Sequence, residues 1–159
     1  MAYLTQQEYQ QYSYSTEQDV TAHFDFYERE ARRYIDIATT GIDGVAKLQE
    51  AFPTEEAAVE AVKIAMTRLI NELSHINQCM VNMSDSLASG KSGVVSSVSS
   101  GAESISYATD GAIIKAAQDP REKNNYLMSV IFQQLSGITD KNGVNLLFGG
   151  EYPSCTEIR

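Results

Sequence analysis

The sequence predicts a mainly α-helical protein, and three observations carry that expectation. Val59, Val62, Met66, Leu69, Leu73, Ile76, Met80 and Met83 recur in strict steps of three and four. That spacing lays one apolar stripe along a helix of about seven turns, packed along another helix. Tyr27, Ala31, Tyr34 and Ala38, with Ile35 beside them, repeat the pattern in a second helix. Asp119-Pro120 then marks a sharp helix start. Proline lacks an N–H and has a fixed φ, which suits the first helical position.

The elements follow in chain order. Thr5 and Glu8 form a capping-box pair, so a short helix begins at Thr5. It ends near Ser13, where Ser13-Tyr14-Ser15-Thr16 is polar and turn-prone. Asp25 is the expected cap of the next helix, with Glu28 in the matching box position. Gly41 and Gly44 stop it. Residues 45–52 add a helical turn or two before Pro53. Thr54 caps the long helix, expected over residues 55–83, and Glu55 and Glu56 suit the positive end of its dipole.

From Ser84 to Gly111 the composition turns to Ser, Gly and Ala. A flexible linker is the plain reading of such a stretch. Val94, Val95, Val98, Ile105 and Tyr107 are nonetheless good strand formers, and Ser104-Ile105-Ser106-Tyr107 alternates polar and apolar. With Ser99-Ser100-Gly101 as a turn, residues 94–107 read as a β-hairpin or a pair of extended arms. An isolated hairpin is marginal in water, so another sheet or subunit is expected to complete it. The final helix carries Tyr126, Leu127, Val130, Ile131 and Leu135 on its apolar face and ends at Gly137. In the irregular tail, Asn142-Gly143 marks a turn, and Leu146-Leu147-Phe148 is an apolar triplet before Gly149-Gly150. That triplet either tucks onto the chain's own core or docks on a partner.

The chain has 159 residues, so one domain is expected over 1–159: helical over 1–83, hairpin or arm over 84–111, C-terminal helix over 119–137 and docking tail over 138–159. The net charge of −9 argues against an exposed nucleic-acid surface, which needs Lys and Arg to replace phosphate counterions. The one dense basic cluster, Arg29, Arg32 and Arg33, is interleaved with Glu28, Glu30 and Asp36 and reads as helix-surface pairing. Cys79 and Cys155 lie far apart without a CxxC partner, as expected for reduced thiols in a cytosol. No run of about 18 apolar residues is present, and the opening MAYLTQQEYQ lacks the basic start and apolar block of a signal peptide.

No residue is put forward as catalytic, cofactor-binding or metal-ligating. Gly90-Lys91-Ser92 looks like the end of a phosphate loop, but Asp85 stands where the first Gly is required. His75 and Cys79 share a helix face, yet two ligands do not make a zinc site. His23 has no Ser or Cys partner at a recognisable spacing, and no carboxylate pair is singled out.

Phe26-Tyr27-Glu28-Arg29-Glu30-Ala31-Arg32-Arg33-Tyr34-Ile35-Asp36-Ile37-Ala38-Thr39 resembles the first long helix of the head–tail adaptors of tailed bacteriophages. There an aromatic, a small residue, Ile-Asp and Thr recur in that order. Tyr3-Leu4-Thr5 with Glu8-Tyr9 resembles the family's opening. Residues 94–107, closing on Glu103-Ser104-Ile105-Ser106-Tyr107, resemble its Val/Ser/Gly-rich segment. Leu146-Leu147-Phe148-Gly149-Gly150 is similar to a Leu-Leu-Tyr-Arg-Gly element near the family's end, with Gly149 where that element carries Arg. Together these pieces cover most of the chain in order.

The resemblance implies a core of about four helices with a long central one, a projecting hairpin or extended arm, and an extended C-terminal tail. It implies a non-enzymatic virion protein of the neck, assembled in the host bacterial cytoplasm. About twelve copies would form a closed ring under the portal protein. The ring would extend the DNA channel and present a surface to the next neck or tail-completion protein. DNA would pass through without specific binding, and no membrane is involved. Val94, Val95, Val98, Ile105 and Tyr107 would then form the inter-subunit arm, and Leu146, Leu147 and Phe148 the portal-docking tail. Three other classes remain distinct. A stopper or tail-completion subunit would dock to a different ring. A helical regulatory adaptor would be a dimer without a ring. A small hydrolase would need a polar pocket where His or carboxylates converge.

Overall fold

A computed structural model of the chain describes residues 2–13, 18–88, 97–100, 103–106 and 111–150. The protein is mainly helical. Helix α1, Gln6–Tyr12, starts at the Thr5 capping box: Thr5 accepts from the Glu8 N–H, and the Glu8 carboxylate accepts from the Thr5 N–H at 2.8 Å. Helices α2, Gln18–Ala22, and α3, Phe24–Thr39, follow. The expected start at Asp25 is corrected, because His23 is the N-cap and makes no side-chain capping bond. The His23 N–H instead donates to Asp19 O at 3.0 Å, so a single turn residue joins α2 to α3. Asp25 sits in the first turn, where a negative charge suits the helix dipole.

The buried face of α3 is Phe24, Tyr27, Glu28, Ala31, Ile35 and Thr39. Tyr34 and Ala38, expected on the stripe, are only half-buried, because the i, i+4 row through Tyr27, Ala31, Ile35 and Thr39 turns inward. After a turn at positive φ on Gly44, helix α4, Lys47–Glu50, supplies the short helical segment expected before Pro53.

Helix α5, Glu56–Ala88, is the long helix, 33 residues and longer than expected at its C-terminal end. Val62, Met66, Leu69, Leu73 and Ile76 are buried, and Ala58, Ala65, Ile70 and Cys79 join them. The stripe drifts after Ile76: Cys79 takes the buried position, and Met80 is 45% exposed. Strands β1, Ser97–Ser100, and β2, Glu103–Ser106, pair antiparallel with Val98 opposite Ile105. Helix α6, Gly111–Gln118, leads to α7, Pro120–Leu135, where Asp119 Oδ1 accepts the Arg121 N–H at 2.8 Å. Leu127, Ile131 and Leu135 are its buried residues, and Gly137 leaves it at φ 80°.

The contacts divide the chain into two compact units. The first comprises Met1–Asn71 with Leu127–Arg159, and the second is Glu72–Tyr126. Within the first, Glu8 and Lys63 pair at 2.6 Å, Tyr9 donates to Asn71 at 2.6 Å, and the Tyr9 and Phe24 ring centroids lie 5.7 Å apart. Within the second, Tyr126 donates to Glu72 at 2.8 Å.

Candidate interaction surfaces

The tail after α7 is built on side chains of its own. Asp140 is buried and its Oδ1 accepts from the N–H groups of Asn142 and Val144, at 2.8 and 2.9 Å. That turn needs the positive φ of 78° at Gly143. The chain then runs back, with Thr139 bridged to Asn145 and the Leu146 N–H donating to Ile138 O at 2.9 Å.

Lys47 holds the returning segment. Its side chain is fully buried, and its ammonium donates to the carbonyls of Thr39 at 3.3 Å, Leu146 at 3.4 Å and Phe148. The same nitrogen stands 5.9 Å from the Phe148 ring centroid. Burial pushes the Lys47 pKa down, while Asp43 and Asp140 pull it back up. Three carbonyls provide the hydrogen bonds that a buried ammonium requires. The Ile42 N–H also donates to Gly149 O at 3.1 Å. A Cβ on Gly41 would lie 2.5 Å from Gly150 O, so the two chain segments approach as closely as glycine allows.

The triplet expected to dock is therefore divided. Leu146 is fully buried in the chain's own core, Leu147 is half-buried, and Phe148 is 51% exposed. Sequence alone left both outcomes open, because an apolar triplet reads the same in either. Of the expected arm residues, Val98 and Ile105 are register partners in β1 and β2. Val94, Val95 and Tyr107 lie outside the described residues, as do Gly90, Lys91, Ser92 and Cys155.

A second surface lies on α3. Arg29, Arg32, Arg33, Asp36, Ile37, Thr40, Ala46 and Gln49 line a groove of about 400 Å³. Buried Glu28 accepts the Tyr3 N–H at 3.1 Å and pairs with Arg32 at 3.5 Å. Asp36 accepts from the Tyr3 hydroxyl at 2.6 Å and from Gln49 at 2.7 Å. Burial, with the Asp36 hydrogen bond, pushes the Tyr3 hydroxyl pKa far up. Arg29 and Arg33 are exposed, and among the described residues no ion pair includes either. Interleaved charge in the sequence suggested pairing along the helix. The structure realises this for Arg32 and leaves two guanidiniums on the groove rim.

Elsewhere, Cys79 is buried with its Sγ 3.9 Å from Met83 Sδ, and burial raises its thiol pKa. His23 lies 3.8 Å from Asp19. Among the described residues no group of three His, Cys, Asp or Glu side chains converges as a metal site would require. Within them no helix is long and apolar enough to cross a membrane. Compared with known proteins, the chain matches no family model, no curated protein and no solved structure.

Proposed function

We propose that this chain is a structural protein of the phage neck, a head–tail adaptor that forms a ring under the portal and extends the DNA channel. The observation that carries the reading is the presented tail. Lys47 fixes the backbone at Leu146 and Phe148, Leu146 roots the segment in the core, and the Phe148 ring stands half out in water. A rooted segment with an exposed aromatic has the form of a docking element, since its main chain is ordered before the partner arrives. Leu147 and Phe148 are then the portal contacts, with Leu146 as their root.

The segments that resemble the adaptor family fall on separate elements in the same order: α3, the β1–β2 pair and the clasped tail. In this reading β1 and β2 form a two-stranded arm; among the described residues no third strand pairs with them, so a neighbouring copy can add one. The net charge of −9 suits a conduit that DNA crosses without sticking.

Portal-bearing, DNA-filled heads test the proposal. The purified chain should add a ring to the portal vertex in electron micrographs, and Phe148→Ala should keep its fold but fail to join. Backbone amides of 97–106 should exchange more slowly in the ring than in the free chain. Heads that acquire no ring from the wild-type chain would overturn the reading. A ring found only on assembled tails would transfer it to the tail-completion class. A portal gene and a major capsid gene just upstream would support the adaptor.

A further inference from the structure

We infer that the arginine groove on α3 is one half of a head-to-tail contact between copies of this chain, and that the exposed face of Glu56 and Glu60 on α5 is the other half. The inference deepens the adaptor reading and rests on it only for closure into a ring.

The two halves match in charge and spacing. Arg29 and Arg33 stand one helical turn apart on the exposed side of α3. Glu56 and Glu60 stand one turn apart on the exposed side of α5. Side chains at i and i+4 sit about 5–6 Å apart at Cβ, so each guanidinium can meet one carboxylate when two such faces are laid together. Guanidinium and carboxylate pair bidentately, which fixes register as well as attraction. Among the described residues no ion pair includes any of the four, so a neighbour's charges would not displace one inside the chain.

Two features of the groove favour a protein carboxylate over nucleic acid. Asp36 forms part of its wall, with contacts from Tyr3 and Gln49 holding the carboxylate in place. A phosphate track needs cations without such an interruption. Ile37 and Ala46 also line the groove, offering apolar contact to the stems of Glu side chains. A chain carrying −9 repels its copies at long range, so association needs a local site of opposite sign. Because the two faces are different patches, the contact is heterologous and propagates from copy to copy, closing into a ring when the rotation allows.

Sedimentation velocity on the full chain tests this. Wild type should associate at low ionic strength and lose association as salt is raised. Arg29→Glu with Arg33→Glu should be monomeric alone, as should Glu56→Arg with Glu60→Arg. An equimolar mixture of the two double variants should associate again, because each then offers the face that the other lacks. Arg29→Gln with Arg33→Gln should lower the association constant by at least about tenfold without adding repulsion. Circular dichroism should match wild type throughout, since all four side chains are exposed, and the melting temperature should drop only slightly in the Glu56→Arg pair, where a cation replaces the first-turn carboxylate of α5. A monomeric wild type, double variants that associate normally, or a mixture that stays monomeric would overturn the inference. So would duplex DNA binding that the Arg→Glu pair abolishes while self-association persists. Wild type that associates through these residues yet fails to join heads would leave this contact standing and remove the adaptor reading alone.

Discussion

Lys47 holds the main-chain carbonyl of Leu146 at 3.4 Å, across 99 residues of chain, and donates to Phe148 two residues further on. This cation therefore joins the end of α3, the start of α4 and the C-terminal segment. Lys47→Met keeps most of the stem volume and removes the three donors. It should destabilise the fold by about 1.5–3 kcal/mol, the range for hydrogen bonds to a charged group. Chemical denaturation measures the loss. Hydrogen exchange should show the Ile42 and Leu146 amides opening faster. Unchanged exchange at both would mean that the clasp does not hold the tail.

The divided triplet makes a contrast within three residues. Leu146→Ala should cost about 2–5 kcal/mol, as for a core leucine. Phe148→Ala should cost under about 1 kcal/mol, because the ring is half in solvent. A chain cut after Asn142 should melt well below wild type. Equal melting temperatures for the cut and intact chains would show that the tail is dispensable to the core.

A similar contrast runs along α5. Leu69→Ala should lose about 2–5 kcal/mol, whereas Met80→Ala should lose under about 1 kcal/mol. Thermal melts of the two variants are the measurement, and equal losses would contradict the drift of the stripe after Ile76.

Glu8 carries a pH dependence. Hydrogen bonds from Lys63 and from the Thr5 backbone and hydroxyl lower its pKa from 4.5 to about 2. A carboxylate with a depressed folded-state pKa adds stability that is present above pH 4.5 and lost as pH falls toward 2. The pair is partly exposed, so the gain is about 1 kcal/mol after solvent screening. Glu8→Gln should be less stable than wild type at pH 7 and converge with it in acid. Parallel stability curves across that window would remove Glu8 as the source.

Local signals were legible because their physics is local. Thr5 and Glu8 satisfy each other within one turn, and Asp119-Pro120 starts α7 without help from distant residues. The stripe from Val62 to Ile76 was readable because helical periodicity puts those side chains on one face wherever the helix lies. Helix α6 was missed, since its eight residues are too few for a periodic signal, although the Ala-rich run 112–117 favours helix. Helix α2 was missed for the same reason, having only five residues.

The sequence by itself determined the helical class, the length scale of α5, the caps of α1 and α7, and the excess of negative charge. Only the tertiary structure decided the use of Lys47, which reads as an ordinary surface lysine until three carbonyls, one at the end of α3 and two in the C-terminal segment, surround it. It also decided that Leu146 faces in while Phe148 faces out, and that Arg32 finds Glu28 while Arg29 and Arg33 stay on the groove rim. The physical reason is range. Caps and periodicity depend on residues within one or two helical turns, whereas burial and charge pairing depend on which distant backbone and side-chain atoms the fold brings within a few ångströms.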